Sequence, residues 1–295
     1  RRTTRAARRR GTLGAIVNLR RREVAPDLVL DDGRLALTAD ADLTDPLLTL
    51  RCARVAAEHD AYLQRGSLER LADNAPVLSD PWPDEAREMF VALLATGPSA
   101  IPVIEDLDHV GLFVQLVPEW EPCRSRPQRN AYHRFTVDRH LMEAAAEASR
   151  LVDRVDRPDL LLVGALFHDI GKGYPGDHTE VGVDLLRTIA TRMGFDADDV
   201  ETLVAMVQHH LLLPDVATRR DLDDDGTIAS VADAVRSSRL LHLLGALTEA
   251  DSIATGPSAW SSWKGGLVDE LVSRVSHVLA GGDVGGGVGG SFPDA

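Results

Sequence analysis

Residues 158–173 read PDLLLVGALFHDIGKG, and this stretch determines how the rest of the chain is interpreted. A proline followed by an acid is typical of the first turn of a helix. The run from 160 to 167 has no polar residue, and a helix that is apolar on every side is buried in a core. The stretch therefore predicts a buried helix that delivers an adjacent His168-Asp169 pair near its end, followed by a turn that contains Lys172.

Helical patterns dominate the sequence on both sides of this stretch. Asp45-Pro46 predicts the N-cap and first turn of an early helix. One strand pair is predicted at 28–37, because Asp32-Gly33 separates two alternating apolar runs. After the helix that begins at 45, helices are predicted at 68–74, 83–95, 99–108, 135–152, 158–169, 179–193, 197–212, 230–235, 239–254 and 264–280. The sequence thus predicts a mainly α fold with one short β-hairpin.

Three regions are predicted along the chain. Residues 1–125 form a smaller helical linking region that includes the hairpin, and 126–280 form a histidine-rich helical domain. Three prolines between 118 and 127 indicate a loop where these two regions meet. Residues 281–295 begin with a run of glycines that is typical of a flexible linker. The first 22 residues carry nine Arg and no acid, and we interpret them as the cut end of a longer chain.

Composition narrows the classes of function. With 44% apolar and 26% charged residues the chain is expected to be globular, and no apolar run approaches the ~20 residues that span a bilayer. The net charge is −14, and an acidic protein is a poor general binder of nucleic acid. Cys52 and Cys123 are too few for a disulfide framework, which favours a reducing compartment. We therefore expect a cytoplasmic protein that binds neither membrane nor nucleic acid.

Six of the ten histidines lie between 133 and 210, and five of them stand in an order with two aspartates that suits metal binding. Adjacent helical residues diverge by about 100°, so adjacent pairs suit a site wedged between helices. Imidazole with carboxylate is a ligand set for Fe, Mn, Zn or Co rather than Ca, and a carboxylate can bridge two ions. A single buried histidine is more often a hydrogen-bonded core residue. The candidate ligands are His140, His168, Asp169, His178, His209, His210 and Asp251.

This order of residues resembles the HD-domain metal-dependent phosphohydrolases, and specifically those that hold two metals. The resemblance implies a multi-helix HD-type fold in which Asp169 bridges the two ions. The ligands implied for the first ion are His140, His168, Asp169 and Asp251. The ligands implied for the second are Asp169, His178, His209 and His210. Lys172 matches the lysine of the motif that contacts the scissile phosphate.

A closer resemblance covers roughly residues 1–280. It is carried by RPQRNAYHRFTVDRH at 126–140, FHDIGKG at 167–173 and GDHTEVG at 176–182. These stretches resemble the bifunctional PII uridylyltransferase/uridylyl-removing enzymes of bacterial nitrogen regulation. The region before them is similar to that family's linking helices. We find no counterpart of the family's nucleotidyltransferase domain or of its glutamine-sensing ACT domains, so the chain is expected to correspond to the removing half alone.

The resemblance implies hydrolysis of the phosphodiester that joins a nucleotide, UMP or AMP, to a tyrosine of the PII protein. It implies two divalent ions, which could be Mn, Fe, Mg, Zn or Co. Lys172 would neutralise the charge that grows on the phosphoryl oxygens. His133 is a candidate proton donor or substrate contact, or else an ordinary surface residue, and Asp138 and Asp177 are candidates for orienting the ligands beside them. Glutamine would act as an effector through the domains that have no counterpart here.

Two other functions stay open at this point. The chain could be an HD phosphohydrolase that acts on a free nucleotide or an alarmone. It could also be a regulatory HD module that binds without catalysis, although the complete set of ligands argues against this.

Overall fold

The computed structural model describes residues 21–128 and 134–283. Within these residues it contains thirteen α-helices and one small sheet, so the predicted mainly α fold is confirmed. The strands are β1 (Arg21–Ala25), β2 (Leu28–Asp31), β3 (Arg34–Leu37) and β4 (Tyr62–Leu63). The first five helices are α1 (Leu48–Glu58), α2 (Arg65–Asn74), α3 (Asp84–Ala95), α4 (Ala100–His109) and α5 (Leu112–Leu116). The other eight are α6 (Val137–Ala148), α7 (Pro158–Phe167), α8 (His178–Arg192), α9 (Ala197–His209), α10 (Leu212–Arg219), α11 (Asp225–Val235), α12 (Ser238–Thr255) and α13 (Ser262–Leu279).

The predicted hairpin is confirmed and is part of a larger sheet. β2 and β3 pair antiparallel, and Asp32 and Gly33 form their turn with φ of 50° and 76°. Two positive φ angles suit a tight hairpin turn, which explains the Asp-Gly signal. β1 pairs antiparallel with β2, and the two-residue β4 pairs parallel with β3. The sequence did not predict β1 or β4, because β1 is mostly exposed and β4 is too short to show a pattern.

Several predicted helix boundaries were wrong for local reasons. The prediction that Asp45-Pro46 opens a helix fails, because a carboxylate oxygen of Asp45 accepts a hydrogen bond from the Leu47 amide in a turn, and α1 begins at Leu48. The helix predicted at 197–212 ends earlier, at His209, and α10 was not predicted. The helix predicted at 230–235 begins at Asp225, where Asp224 caps the amides of the first turn.

Helix α7 lies at the centre of the second half of the chain, as its apolar run predicted. All eight of its residues from 160 to 167 are buried. It packs against α6, α9 and α12, and α3 of the first half also contacts it. Buried side chains from both halves belong to one hydrophobic cluster. The domain boundary at 125/126 therefore stays a prediction.

Within the two described ranges, no single helix is long and apolar enough to cross a bilayer. The segments Asp84–Ala95 and Gly97–His109 meet the criterion of length and composition only when taken together, across a bend of 110°.

One buried ion pair ties α7 to α9. The guanidinium of Arg157, just before α7, donates to both oxygens of Asp199 at 2.5 and 2.6 Å and to both oxygens of Asp159 at 3.0 and 2.7 Å. Asp199 is in the first turn of α9, and its side chain is only 11% exposed. Burial opposes ionisation of Asp159, but the Arg157 hydrogen bonds outweigh burial and lower the pKa of its carboxyl group.

We expect Arg157→Met to lower the free energy of unfolding by about 2–3 kcal/mol, because it leaves the Asp199 carboxylate buried without its cation. Arg154→Met is the matched control, since Arg154 is 61% exposed in its pair with Glu249 and should cost less than about 1 kcal/mol. Urea unfolding followed by circular dichroism measures both. Because the folded pKa of Asp159 lies below its unfolded value, its ionised form stabilises the fold at neutral pH, and this stabilisation is lost as the carboxyl group protonates in acid. The difference in stability between wild type and Arg157→Met should therefore shrink below about pH 4. Equal losses in the two variants would contradict the role of Arg157.

Candidate metal centre

Ends of three helices, α7, α8 and α9, and one position within each of α6 and α12 bring the candidate ligands together. His168 and Asp169 directly follow α7 and are buried because that helix is in the core. His140 lies in the first half of α6, and Asp251 lies near the end of α12. His178 is the first residue of α8, and His210 directly follows α9. Residues up to 111 positions apart thus meet in the interior.

A close approach of two backbones sets the position of His178. After Asp169 the chain forms a 3-10 turn, Ile170–Gly173, that packs against the start of α8. A Cβ atom on Gly171 would lie 1.9 Å from the carbonyl oxygen of His178 and 2.8 Å from the amide nitrogen of Gly182. Only glycine fits at this position, so the glycine of the HDIGK stretch lets α8 bring its first residue up to Asp169.

Three side chains form a first ligand group: His140, His168 and Asp251. An oxygen of Asp251 lies 3.1 Å from Nε2 of His140 and 3.4 Å from Nε2 of His168. His140 and His168 are almost completely buried, and 21% of the Asp251 side chain is exposed. The ligand atoms of the group lie within 4.8 Å of one another, which is close enough to hold one ion.

A second ligand group adjoins the first: Asp169, His178 and His210. Oδ1 of Asp169 lies 3.8 Å from Nε2 of His178 and 3.6 Å from Nε2 of His210. The other oxygen, Oδ2, faces the first group at 3.3 Å from Nε2 of His168 and 3.8 Å from Nε2 of His140. Asp169 therefore presents one oxygen to each group, which is the arrangement of a carboxylate that bridges two ions.

The donor atoms of these groups fit metal binding. Nδ1 of His168 lies 2.9 Å from the carbonyl oxygen of Ala165, and Nδ1 of His210 lies 2.6 Å from that of Val207. A carbonyl can only accept, so each Nδ1 carries a proton, and Nε2 is the ring nitrogen that faces the cluster and can bind an ion. Among the described residues, Nε2 of His168 and Oδ1 of Asp169 are buried without a hydrogen bond. Buried polar atoms left in this way are available to bind a cation.

The charges at the centre favour ionised carboxylates. Burial alone would raise the pKa values of Asp169 and Asp251, but neighbouring His168, with Lys172 beside Asp169 and His140 beside Asp251, holds both well below the usual range. Burial opposes protonation of His168, yet the two carboxylates raise its pKa to about 10. Burial lowers the pKa of His210. Two ionised carboxylates inside the protein create a negative potential that attracts cations.

Lys172 lies in the turn after Asp169, and its contact with the scissile phosphate stays a prediction. Its ammonium group forms an ion pair with Oδ2 of Asp169 and donates to Oε1 of Gln128 at 3.4 Å. Nε2 of Gln128 is buried, and no hydrogen-bond partner for it is found in the part of the chain that the structure describes. Gln128 lies within the quoted 126–140 stretch but has no feature of its own that would have marked it as a site residue.

The remaining predicted site residues have different surroundings. His209 belongs to neither ligand group, because it is one residue before His210 on the helix and points about 100° away. Asp138 accepts from the backbone amide of Ser125 at 2.7 Å, and Asp177 caps α8 by accepting from the amides of Thr179 and Glu180. The roles of His209 as a ligand and of both aspartates in orienting ligands stay predictions. The predicted role of His133 falls outside the described residues.

The ligand groups open into a cavity of about 1120 Å³. Asp169, His178, His210 and Asp251 contribute to its wall. Both lysines of the chain, Lys172 and Lys264, also line it, and they come from parts of the sequence 92 residues apart. A cavity of this volume has room for a nucleotide together with part of a larger substrate.

A family model described as the HD domain matches residues 137–237. The chain contains an HD domain. The matched range includes five of the six residues in the two ligand groups, and Asp251 is contributed by α12, beyond the matched range. The HD domain together with the His/Asp groups indicates a metal-dependent phosphohydrolase.

Curated relatives match the chain well beyond the HD domain. A Streptomyces coelicolor protein is 53% identical over 88% of this chain and 31% of its own length. A Mycobacterium tuberculosis protein is 46% identical over 92% of this chain and 34% of its own length. A Corynebacterium glutamicum protein is 36% identical over 88% of this chain and 38% of its own length. All three are named bifunctional uridylyltransferase/uridylyl-removing enzyme, which confirms the resemblance drawn from the sequence. The chain spans about a third of the length of these relatives.

Proposed function

We propose that the HD domain of this chain is a two-metal phosphodiesterase that removes a uridylyl group from a tyrosine of a PII signal protein. One observation carries the two-metal part of the proposal: Asp169 turns one oxygen to each of two separate ligand groups. The names of the relatives, which include a uridylyl-removing activity, support the reaction. The PII substrate rests on the resemblance of the motif stretches.

His140, His168 and Asp251 would hold one divalent ion, His178 and His210 would hold the other, and Asp169 would bridge them. When bound, such a pair of ions supplies Lewis-acid catalysis and activates a water for attack on phosphorus. Carbonyl groups of Ala165 and Val207 accept from Nδ1 of His168 and His210, so Nε2 is the nitrogen of each imidazole that would act as a ligand. The identity of the ions stays a prediction.

The chemical step adds water across the phosphorus–oxygen bond to tyrosine. The products are a nucleoside monophosphate and the free tyrosine hydroxyl, whose oxygen must receive a proton. Lys172 is placed beside Asp169, where its charge can stabilise the phosphoryl oxygens as their negative charge grows. His133 remains our candidate for delivering the proton to the leaving oxygen.

The choice of a uridylyl group as the group removed is taken from the names of the relatives. Uridylyl removal predicts UMP rather than AMP as the group released, and the cavity of about 1120 Å³ is large enough for that group and the tyrosine that carries it. Control by glutamine, a cytoplasmic setting and the lack of nucleic-acid and membrane partners stay predictions.

The test is to incubate the purified chain with Mn²⁺ and uridylylated PII, adenylylated PII, free nucleotides and guanosine tetraphosphate in separate reactions. We expect two equivalents of bound metal by elemental mass spectrometry and release of UMP from uridylylated PII. A chelator should abolish the release of UMP. Faster hydrolysis of a free nucleotide or of the alarmone would support the rival phosphohydrolase function. Bound metal without hydrolysis of any substrate would support the regulatory module.

A further inference from the structure

The second lysine of the chain, Lys264, has no role in the metal centre but lines the same cavity. It lies in the first turn of α13, whose N-cap is Ser261. Nothing in the proposed chemistry uses it, and it belongs to neither ligand group. Yet it shares the cavity wall with Asp169, His178 and Asp251.

The ammonium group of Lys264 is held firmly and lacks a close counter-charge. Its Nζ donates to the carbonyl oxygen of Ala259 at 2.9 Å and to Oγ of Ser252 at 3.3 Å, and it lies 5.9 Å from the centre of the Trp260 ring. Within residues 21–128 and 134–283 no carboxylate oxygen lies within 4.0 Å of it. Lys172, in contrast, forms an ion pair with Asp169.

This arrangement leaves one donor for a ligand. A lysine ammonium group carries three N–H donors, and Ala259 and Ser252 account for two of them. Burial lowers the pKa of Lys264, and the nearby charges of Asp251 and Asp215 oppose that effect. A partly desolvated cation that has no close carboxylate is stabilised when an anion enters the cavity.

We propose that Lys264 is a substrate-binding residue that donates to the phosphoryl group of the nucleotide from the Asp251 side, while Lys172 acts from the Asp169 side. This inference rests on the proposed function, in which a phosphodiester lies at the metal centre. A phosphate diester carries one negative charge and the monoester product carries nearly two, so the contact should be strongest with the product. Ser252 and Ala259 hold the ammonium group in position before the ligand arrives.

The test compares Lys264→Met with wild type for binding of UMP and of uridine, by calorimetry on the Mn²⁺-loaded chain. We expect UMP to bind about tenfold to a hundredfold more weakly to the variant, with uridine binding and metal content unchanged. Lys264→Arg should restore part of the affinity. Arg65→Met is the matched control, because Arg65 is a cation in the first turn of α2, is 91% exposed in its pair with Glu69 and does not line the cavity. It should bind UMP as wild type does.

Three results would overturn the assignment of Lys264. UMP affinity within twofold of wild type would exclude the contact, equal weakening of UMP and uridine would indicate a contact to the base, and loss of metal would indicate support of Asp251.

The proposed function is judged separately, by hydrolysis of uridylylated PII in the wild type. Wild-type hydrolysis with unchanged UMP binding in Lys264→Met overturns this inference alone. If the wild type does not hydrolyse uridylylated PII but its UMP binding depends on Lys264, only the proposed substrate is overturned. If the wild type binds no UMP, both the proposed function and the role of Lys264 are overturned.

Discussion

Asp169→Asn is expected to remove both metals and to lower the rate of phosphodiester hydrolysis by about 10³-fold or more. The carboxylate is the one group that faces both ligand groups, and the second group contains no other carboxylate. An amide keeps the shape of the side chain but has one oxygen and no charge. It can therefore neither bridge two ions nor balance their charge.

Elemental analysis of the purified variant and assay of UMP release measure this prediction. Asp184→Asn is the matched control, because Asp184 is an exposed aspartate on α8 away from the cavity. It should retain two metals and full activity. Circular dichroism must show that both variants are folded, since Asp169 also pairs with Lys172. Full metal content with undiminished release in Asp169→Asn would show that the bridge does not exist.

A second variant separates the two ligand groups. His178 is 33% exposed, which makes it the ligand candidate least coupled to folding. His178→Gln should lose one of the two metals and keep the ion held by His140, His168 and Asp251. Loss of both metals from this variant, or of neither, would contradict the division into two groups.

The meeting of six of the seven candidate ligands could be predicted from the sequence because the local signals are strong. The apolar run of α7 predicted a buried helix, and a buried helix delivers His168 and Asp169 into the interior. The break after α9 was harder to foresee. Pro214 lacks an amide hydrogen but lies in the first turn of α10, where amide groups have no partner within the helix. A new helix can therefore begin at Leu212, although the apolar pattern of α9 continues past the end of that helix.

Contacts between distant parts of the chain could not be predicted in the same way. β4 is recognisable only by its pairing with β3, which is about 28 residues earlier. That His210 joins a ligand group and His209 does not depends on the rotation of α9 against the core, which neighbouring packing decides. Lys264 stood out by its rarity, but its place in the cavity follows from how α13 packs on α11, α12 and α10. Function-bearing side chains outside a motif are hard to recognise for this reason.

Lys172→Met is expected to lower kcat for release of UMP by about 10²–10³-fold while the protein keeps both metals. Lys172 belongs to neither ligand group, and methionine preserves the aliphatic stem that packs beside Asp169. The lost charge would matter most in the transition state, where the phosphoryl oxygens are most negative, so KM should change less than kcat. Steady-state kinetics with uridylylated PII and elemental analysis measure the two effects, with Arg65→Met as the control for removing a cation. If Lys172→Met loses metal, the lysine supports the charge of Asp169 rather than the phosphate. If kcat falls less than threefold with both metals bound, the phosphoryl oxygens are stabilised by other groups of the cavity, and Lys172 is not among the catalytic residues.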